Sequence, residues 1–277
     1  MKKMKSKIFQ VISMCVLMVV ATGPHAFAGQ QLTIKGSTTV LPVTQKVAEA
    51  FMEKYPDINV SISGGGSGNG IKAIVDGTTD IAQSSRWIKQ EEVKLAVDNG
   101  YYPVPFGIAL DAIIPVVHPD NPVDDLSLDQ LKAIYEGKIK NWKDVGGEDR
   151  NVVVISRDSS SGTFVVWNDV VLRGGRVTPR GQLLPSNGAI VQAVAGNRNA
   201  IGYIGIGYFN DSLKSVRVDG VQPTHETAGS GAYPVSRTLW YFTDGWPGGK
   251  TLQFINFMLH PEKGQKLVKE TGYVPLY

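Results

Sequence analysis

Apolar positions along the chain recur with two alternating periods, and the alternation itself names a fold class. "QLTIKG" and "INVSISG" read as short strands. Between them, "PVTQKVAEAFMEKY" sets Val43, Val47, Ala50 and Phe51 on one helical face, with Pro42 suited to the first turn. After a glycine run come the helix "IKAIVDG" and the extended piece "TDIAQSS". Further on, "LSLDQLKAIYEGK" is a capped amphipathic helix, "NVVVIS" a strand and "TFVVWNDVVL" a helix. "SNGAIVQAVAGN" and "AIGYIGIGYF" add one more helix and strand. Strand–helix alternation of this kind predicts an α/β fold with largely parallel sheets.

Two stretches break the rhythm. "GIALDAIIPVVHP" and "YPVSRTLWYFT" are long, extended and apolar, and proline or glycine flanks each. They are expected to be two passes between lobes. The first lobe would take residues 29–112 and 230–277, and the second residues 113–229.

The first 28 residues form a separate region. "MKKMKSK" is basic, "IFQVISMCVLMVVA" is apolar, and "AFA" ends in small residues at Ala28, the pattern of a cleavable export signal. The apolar run is shorter than the roughly 20 residues a spanning helix needs, and Gly23 and Pro24 follow it. Cys15 sits inside that run rather than at its end, which argues against a lipid-modified cysteine. The expected product is exported, released and periplasmic. Cleavage would remove four lysines and no acid, taking the formal charge from +3 to −1 and leaving 249 residues. The basicity therefore belongs to the signal, and a nucleic-acid partner is not supported. Cys15 is the only cysteine, so no disulfide is available, and a chain of this length can bury a core without one. His118, His225 and His260 lack metal-ligand spacing, so neither metal nor cofactor is expected.

Four strand-to-helix junctions are rich in Ser, Thr, Gly or Asn: "GSTTV" (36–40), "GGGSGNG" (64–70), "RDSSSGT" (157–163) and "SNGA" (186–189). One such junction is an ordinary helix cap. Four converging on a cleft would offer an anion several helix N-termini and many uncharged hydroxyl donors. The glycine run is not a P-loop, because Ile71 and Lys72 follow Gly70; "GNGIKA" fits a dinucleotide turn but lacks the acid about 20 residues later. A serine hydrolase would need G-x-S-x-G, and "GGSGN" ends in Asn69 instead. Arg157, at a strand end, could hold two oxygens of an oxyanion or pair with Asp158. Asp80 reads either as a turn acid or as the acceptor for a ligand that carries a proton. A carboxylate in that second role would admit hydrogen phosphate and repel sulfate. Arg86 could touch ligand or pair across the cleft.

In order along the chain, "GSTTVLPV", "GGGSGNGIKAI", "TTDIAQSSR", "LDAIIPVVHPDNP", "LDQLKAIYEGKIKNWKDVGG", "ISRDSSSGTF" and "NAIGYIG" resemble the phosphate-binding proteins of bacterial phosphate ABC importers. The resemblance implies a two-lobed type II periplasmic-binding fold and no catalysis. It also implies phosphate and a membrane permease as partners, and a monomer that closes around its ligand. Residue by residue, it implies Thr38, Thr39 and Val40 in the first loop, Ser67 in the second, and Asp80 as proton acceptor. Arg157, Ser161, Gly162 and Thr163 complete the set. Many relatives support the arginine with an acid two residues later, where this chain has Ser159. Asn187 joins from the cap argument alone. Capture of sulfate, molybdate or tungstate, and an exported phosphatase-like hydrolase, are the alternatives.

Overall fold

The computed structural model describes residues 30–277; the export signal expected over residues 1–28 lies outside them. The chain begins with β1 (Gln30–Gly36), α1 (Leu41–Lys54), β2 (Ile58–Gly65), α2 (Ser67–Val75), β3 (Ile81–Ser84) and α3 (Gln90–Asp98). The long β4 (Pro103–Val117) leads to β5 (Asp125–Leu126), α4 (Leu128–Tyr135) and β6 (Val153–Arg157). Next come α5 (Gly162–Trp167), which runs on as a π turn to Leu172, then β7 (Gln182–Leu184), α6 (Asn187–Ala195) and β8 (Ala200–Gly205). The short β9 (Lys214–Ser215), β10 (Arg217–Val218) and α7 (His225–Gly229) precede β11 (Ser236–Asp244), α8 (Gly249–Leu259) and α9 (Lys266–Glu270).

Among the described residues, one nine-stranded sheet runs β2-β1-β3-β11-β4-β8-β6-β7, with β9 on β4. Its outer pairings are parallel, as strand–helix alternation demands. The central pairs β3/β11, β11/β4 and β4/β8 are antiparallel, because the two long strands run between the lobes in opposite directions.

Two cores flank that centre. Leu32, Ile34, Val43, Val47, Phe51, Tyr241 and Phe254 build the first. Ile113, Leu131, Tyr135, Trp167, Ile190 and Tyr203 build the second. A smaller cluster of Ile71, Ile74, Ala96 and Phe242 seats α2 and α3 on the other face of the first lobe. Burying each such side chain contributes about 1.5–3 kcal/mol, so both lobes carry cores of their own. On β4 the allegiance changes between Ala109 and Ala112, close to the expected 112/113 division. On the return it changes between Val235 and Leu239, not at 229/230: Tyr233 and Val235 pack into the second core. The expected boundary fell early because the turn at Ser230–Gly231 reads as a lobe end, whereas α7 and the residues after it remain on the second lobe.

Local signals account for the element ends that matter here. Ser127 caps α4 by accepting from the Gln130 N–H at 3.1 Å, while Gln130 reaches back to the Ser127 N–H at 2.9 Å. Helix α3 has no strong apolar stripe, and of its residues only Ala96 is buried. Its start is fixed by Glu92, which accepts from the Lys89 N–H.

Candidate functional site

The carboxyl ends of the parallel strands in both lobes face one another at the centre of the sheet, which is where ligands enter folds of this class. Four strand-to-helix junctions meet there. In the first, β1 stops at Gly36, whose φ of +136° and close approach to the Gln83 carbonyl leave no room for a side chain. Ser37 then closes the turn, its Oγ accepting from the N–H groups of Thr39 (3.1 Å) and Val40 (3.3 Å). That turn sets Thr38 and Thr39, both buried, toward the other junctions. The hydroxyl of Thr38 accepts from Arg157 Nη2 at 3.1 Å, and Asn187 Nδ2 bonds Thr39 Oγ1 at 3.0 Å. Thr39 Oγ1 also meets Thr163 Oγ1 at 2.8 Å, across the lobes.

The second junction delivers Ser67, fully buried, whose Oγ accepts from the Ser85 N–H at 3.0 Å and lies 3.3 Å from Ser85 Oγ. Gly162 of the third junction packs directly onto this pair; a Cβ there would come within 2.4 Å of Ser67 Oγ. Ser161 caps α5, accepting from the Phe164 N–H. Outside it, the Gly68 N–H donates to the Ser160 carbonyl at 2.9 Å, and Ser160 Oγ reaches the Gly65 carbonyl, latching the two glycine- and serine-rich loops together. The fourth junction supplies Asn187, whose Oδ1 is fixed by the Gly205 N–H.

Arg157 is the centre of charge. It is 1% exposed and is held by the carbonyls of Leu184 and Pro185 and by Thr38. These contacts replace the acid missing at position 159; Asp158 turns to the Ser160 N–H and hydroxyl instead. Burial pulls the guanidinium below its usual pKa, yet arginine stays charged. Its Nη1 is buried with no partner among the described residues.

A second buried cation, absent from the sequence-derived set, completes the cluster. Arg237 on β11 donates from Nε and Nη2 to Asp111 Oδ2 at 2.8 and 2.7 Å, from Nη1 to the Ser85 carbonyl, and from Nη2 to Thr163 Oγ1. Asp111 is fully buried, which raises its carboxyl pKa against the lowering pull of Arg237. Asp111 is the one charge in β4, and Arg237 the one charge inside β11 before its terminal Asp244; that was the available signal. Ser85 was missed for a simpler reason: it ends a strand without opening a helix.

Eight of the ten expected residues thus meet: Thr38, Thr39, Ser67, Arg157, Ser161, Gly162, Thr163 and Asn187. Asp80 does not. It lies at the start of β3, where its carboxylate accepts from the Thr33 N–H and pairs with Lys250 at 3.2 Å. The five residues from Asp80 to Ser85 run along the strand, roughly 16 Å at 3.3 Å per residue. Val40 stays in the first turn but brings no side chain to the cluster: its side chain belongs to the first core, and its N–H donates to Ser37 Oγ. Arg86 faces away as well, clasping Glu92 through Nη1 and Nη2. Burial would raise the Glu92 carboxyl, but Arg86 and the Lys89 N–H hold it below its ordinary pKa.

Counting hydrogens shows what the cluster can bind. Two hydroxyls in mutual contact share one proton, so the pairs Thr39/Thr163 and Ser67/Ser85 each keep one O–H uncommitted. Thr38 accepts twice and bonds no acceptor with its own proton. Arg157 Nη1 adds two more donors. Of the two carboxylates beside the cluster, Asp111 has Arg237 on one oxygen and the Ile206 N–H on the other, and Asp158 is taken by the Ser160 N–H and hydroxyl. Such a surplus of donors around the unpartnered end of a buried arginine suits a compact anion rich in oxygen.

The PBP superfamily domain matches residues 21–262. The chain is 31% identical over 253 residues to the phosphate-binding protein PstS of Bacillus subtilis, spanning 90% of this chain and 82% of that protein. It is 32% identical over 269 residues to PstS of Pseudomonas aeruginosa (88% and 83%). Among solved structures, a phosphate ABC transporter substrate-binding protein of Clostridium perfringens with bound phosphate superposes with a TM-score of 0.83 at 38% identity, covering 90% of this chain and all of that one. An ABC-type phosphate transport receptor from Vibrio cholerae superposes at 0.72 and 31% identity, covering 88% and 99%.

Proposed function

The chain belongs to the PstS-type phosphate-binding proteins of the periplasmic-binding-protein superfamily, and from that premise we propose how it takes up inorganic phosphate for an ABC importer. It is a binding protein and performs no catalysis. Phosphate is held by the uncommitted hydrogens of Thr38, of the Thr39/Thr163 and Ser67/Ser85 pairs, and of Arg157 Nη1. Ser161, Gly162 and Asn187 shape the wall. The observation that carries this assignment is Arg157 Nη1, a buried charged donor without a partner among the described residues, on a guanidinium whose Nη2 bonds the Thr38 hydroxyl. A buried donor without an acceptor costs roughly 1–3 kcal/mol, more when charged, and a phosphate oxygen removes that cost.

Capture proceeds by closure. Each lobe supplies part of the donor set, so the anion gains its full set of bonds only when the lobes meet, and its presence shifts the population to the closed form. The importer's membrane subunits then meet a closed, loaded shape. The protein works outside the cytoplasmic membrane as a monomer, released after cleavage at Ala28; the mass and oligomeric state of the exported product test that part.

Calorimetry on protein unfolded, dialysed and refolded to clear carried-over ligand tests the site. One-to-one phosphate binding that Arg157→Met weakens by about two orders of magnitude or more is the expected result. Phosphate binding untouched by that change would move the site elsewhere, and no binding at all would remove the assignment.

A further inference from the structure

We propose that Arg237 is the positioning residue that makes phosphate capture and lobe closure a single event, an inference that rests on the phosphate reading above. Arg237 and Asp111 face each other in register on β11 and β4, within the stretches where the strands pass from one core to the other. Asp111 cannot turn away. One of its oxygens is held by the Ile206 N–H, and Gly205 packs so closely that a Cβ there would lie 3.0–3.1 Å from the carboxylate. The carboxylate therefore anchors the guanidinium to the interlobe strands, and the remaining donors of the planar fork point to opposite sides.

Nη1 reaches the Ser85 carbonyl at 3.0 Å, next to Ser67, on the first lobe. Nη2 reaches Thr163 Oγ1 at 3.1 Å on the second. Thr163 in turn meets Thr39 of the first lobe. Because Arg237 donates to Thr163, that hydroxyl must use its own proton elsewhere, on Thr39 or on the ligand. Separating the lobes breaks the bond to Ser85, the bond to Thr163, or both. The guanidinium thus completes its bonding in the same movement that assembles the phosphate donors, and it supplies the second positive charge beside Arg157. Lysine cannot substitute fully, since one ammonium does not span three partners set in a plane.

The test uses Arg237→Gln, the double variant Asp111→Asn/Arg237→Gln, and Arg237→Lys. The double variant places two amides where the ion pair stood and avoids leaving Asp111 charged and buried alone. Phosphate affinity is read by calorimetry, closure by the change in radius of gyration on adding phosphate, and folding by ligand-free melting. Both glutamine variants are expected to bind phosphate about 10- to 100-fold more weakly and to close incompletely. The double variant should melt close to the wild type, and Arg237→Lys should regain part of the affinity. A folded double variant that binds within about twofold of the wild type and closes fully would overturn the inference while the phosphate reading stands. A wild-type protein that takes up no phosphate would overturn both.

Discussion

Asp80 and Arg157 were both expected at the site on residue type, and only Arg157 joins the buried donor cluster. A carboxylate that could accept a proton from hydrogen phosphate is sound chemistry, but chemistry does not fix position along a strand. Asp80 sits five residues before Ser85, and extended backbone turns that offset into roughly 16 Å. Its work is to fasten the start of β3 to Thr33 and Lys250. Asp80→Asn is therefore expected to leave the ratio of phosphate to sulfate affinity unchanged in paired titrations. It should lower stability by no more than about 1 kcal/mol, since the ion pair is partly solvated. A collapse of that ratio would return Asp80 to the ligand. Arg157 and the hydroxyls were legible because short motifs carry them. Arg237 and Asp111 were not, because what marks each is a partner brought near only by the antiparallel pairing of β4 with β11.

The glycine-rich junction before α2 shows how an element boundary doubles as an interface. Gly66 has a φ of +103°, and a Cβ there would lie 2.5 Å from Ser160 Oγ and 2.6 Å from its carbonyl, both on the facing lobe. Gly66→Ala is thus expected to fold, at a cost of about 1–2 kcal/mol for the backbone, but to hold the loops apart. Phosphate binding should weaken and the compaction seen by small-angle scattering should shrink; unchanged compaction would show that the loops have slack. Strand and helix alternation announced most elements. Helix α3 went unread because its buried face amounts to Ala96, too narrow for a period of 3.6 to show.

Taken whole, the molecule has two main cores joined by one continuous sheet and by the latch between the Gly65–Gly68 and Ser160 loops. Phosphate held by both lobes, as proposed, is expected to raise the melting temperature by several degrees at saturation. At 100 times the dissociation constant the gain is about 2.7 kcal/mol. Scanning calorimetry should also show a sharper transition with phosphate, because separate lobe unfolding then forfeits the ligand's bonds. A ligand-independent profile would mean that the anion touches one lobe alone. The division into lobes was readable from two extended stretches, whereas the return crossing was misplaced by several residues because a turn resembles a boundary.

The continuity of that sheet reaches further. Where the strands cross between the cores, β4 and β11 stay paired, and their register slips once, between Leu239 and Trp240. A bulge lets paired strands bend and twist more sharply without parting. The jaws can therefore swing on an elastic ribbon whose rungs stay intact. Under the proposed closure, nothing at the pivot would have to melt and re-form as the lobes come together.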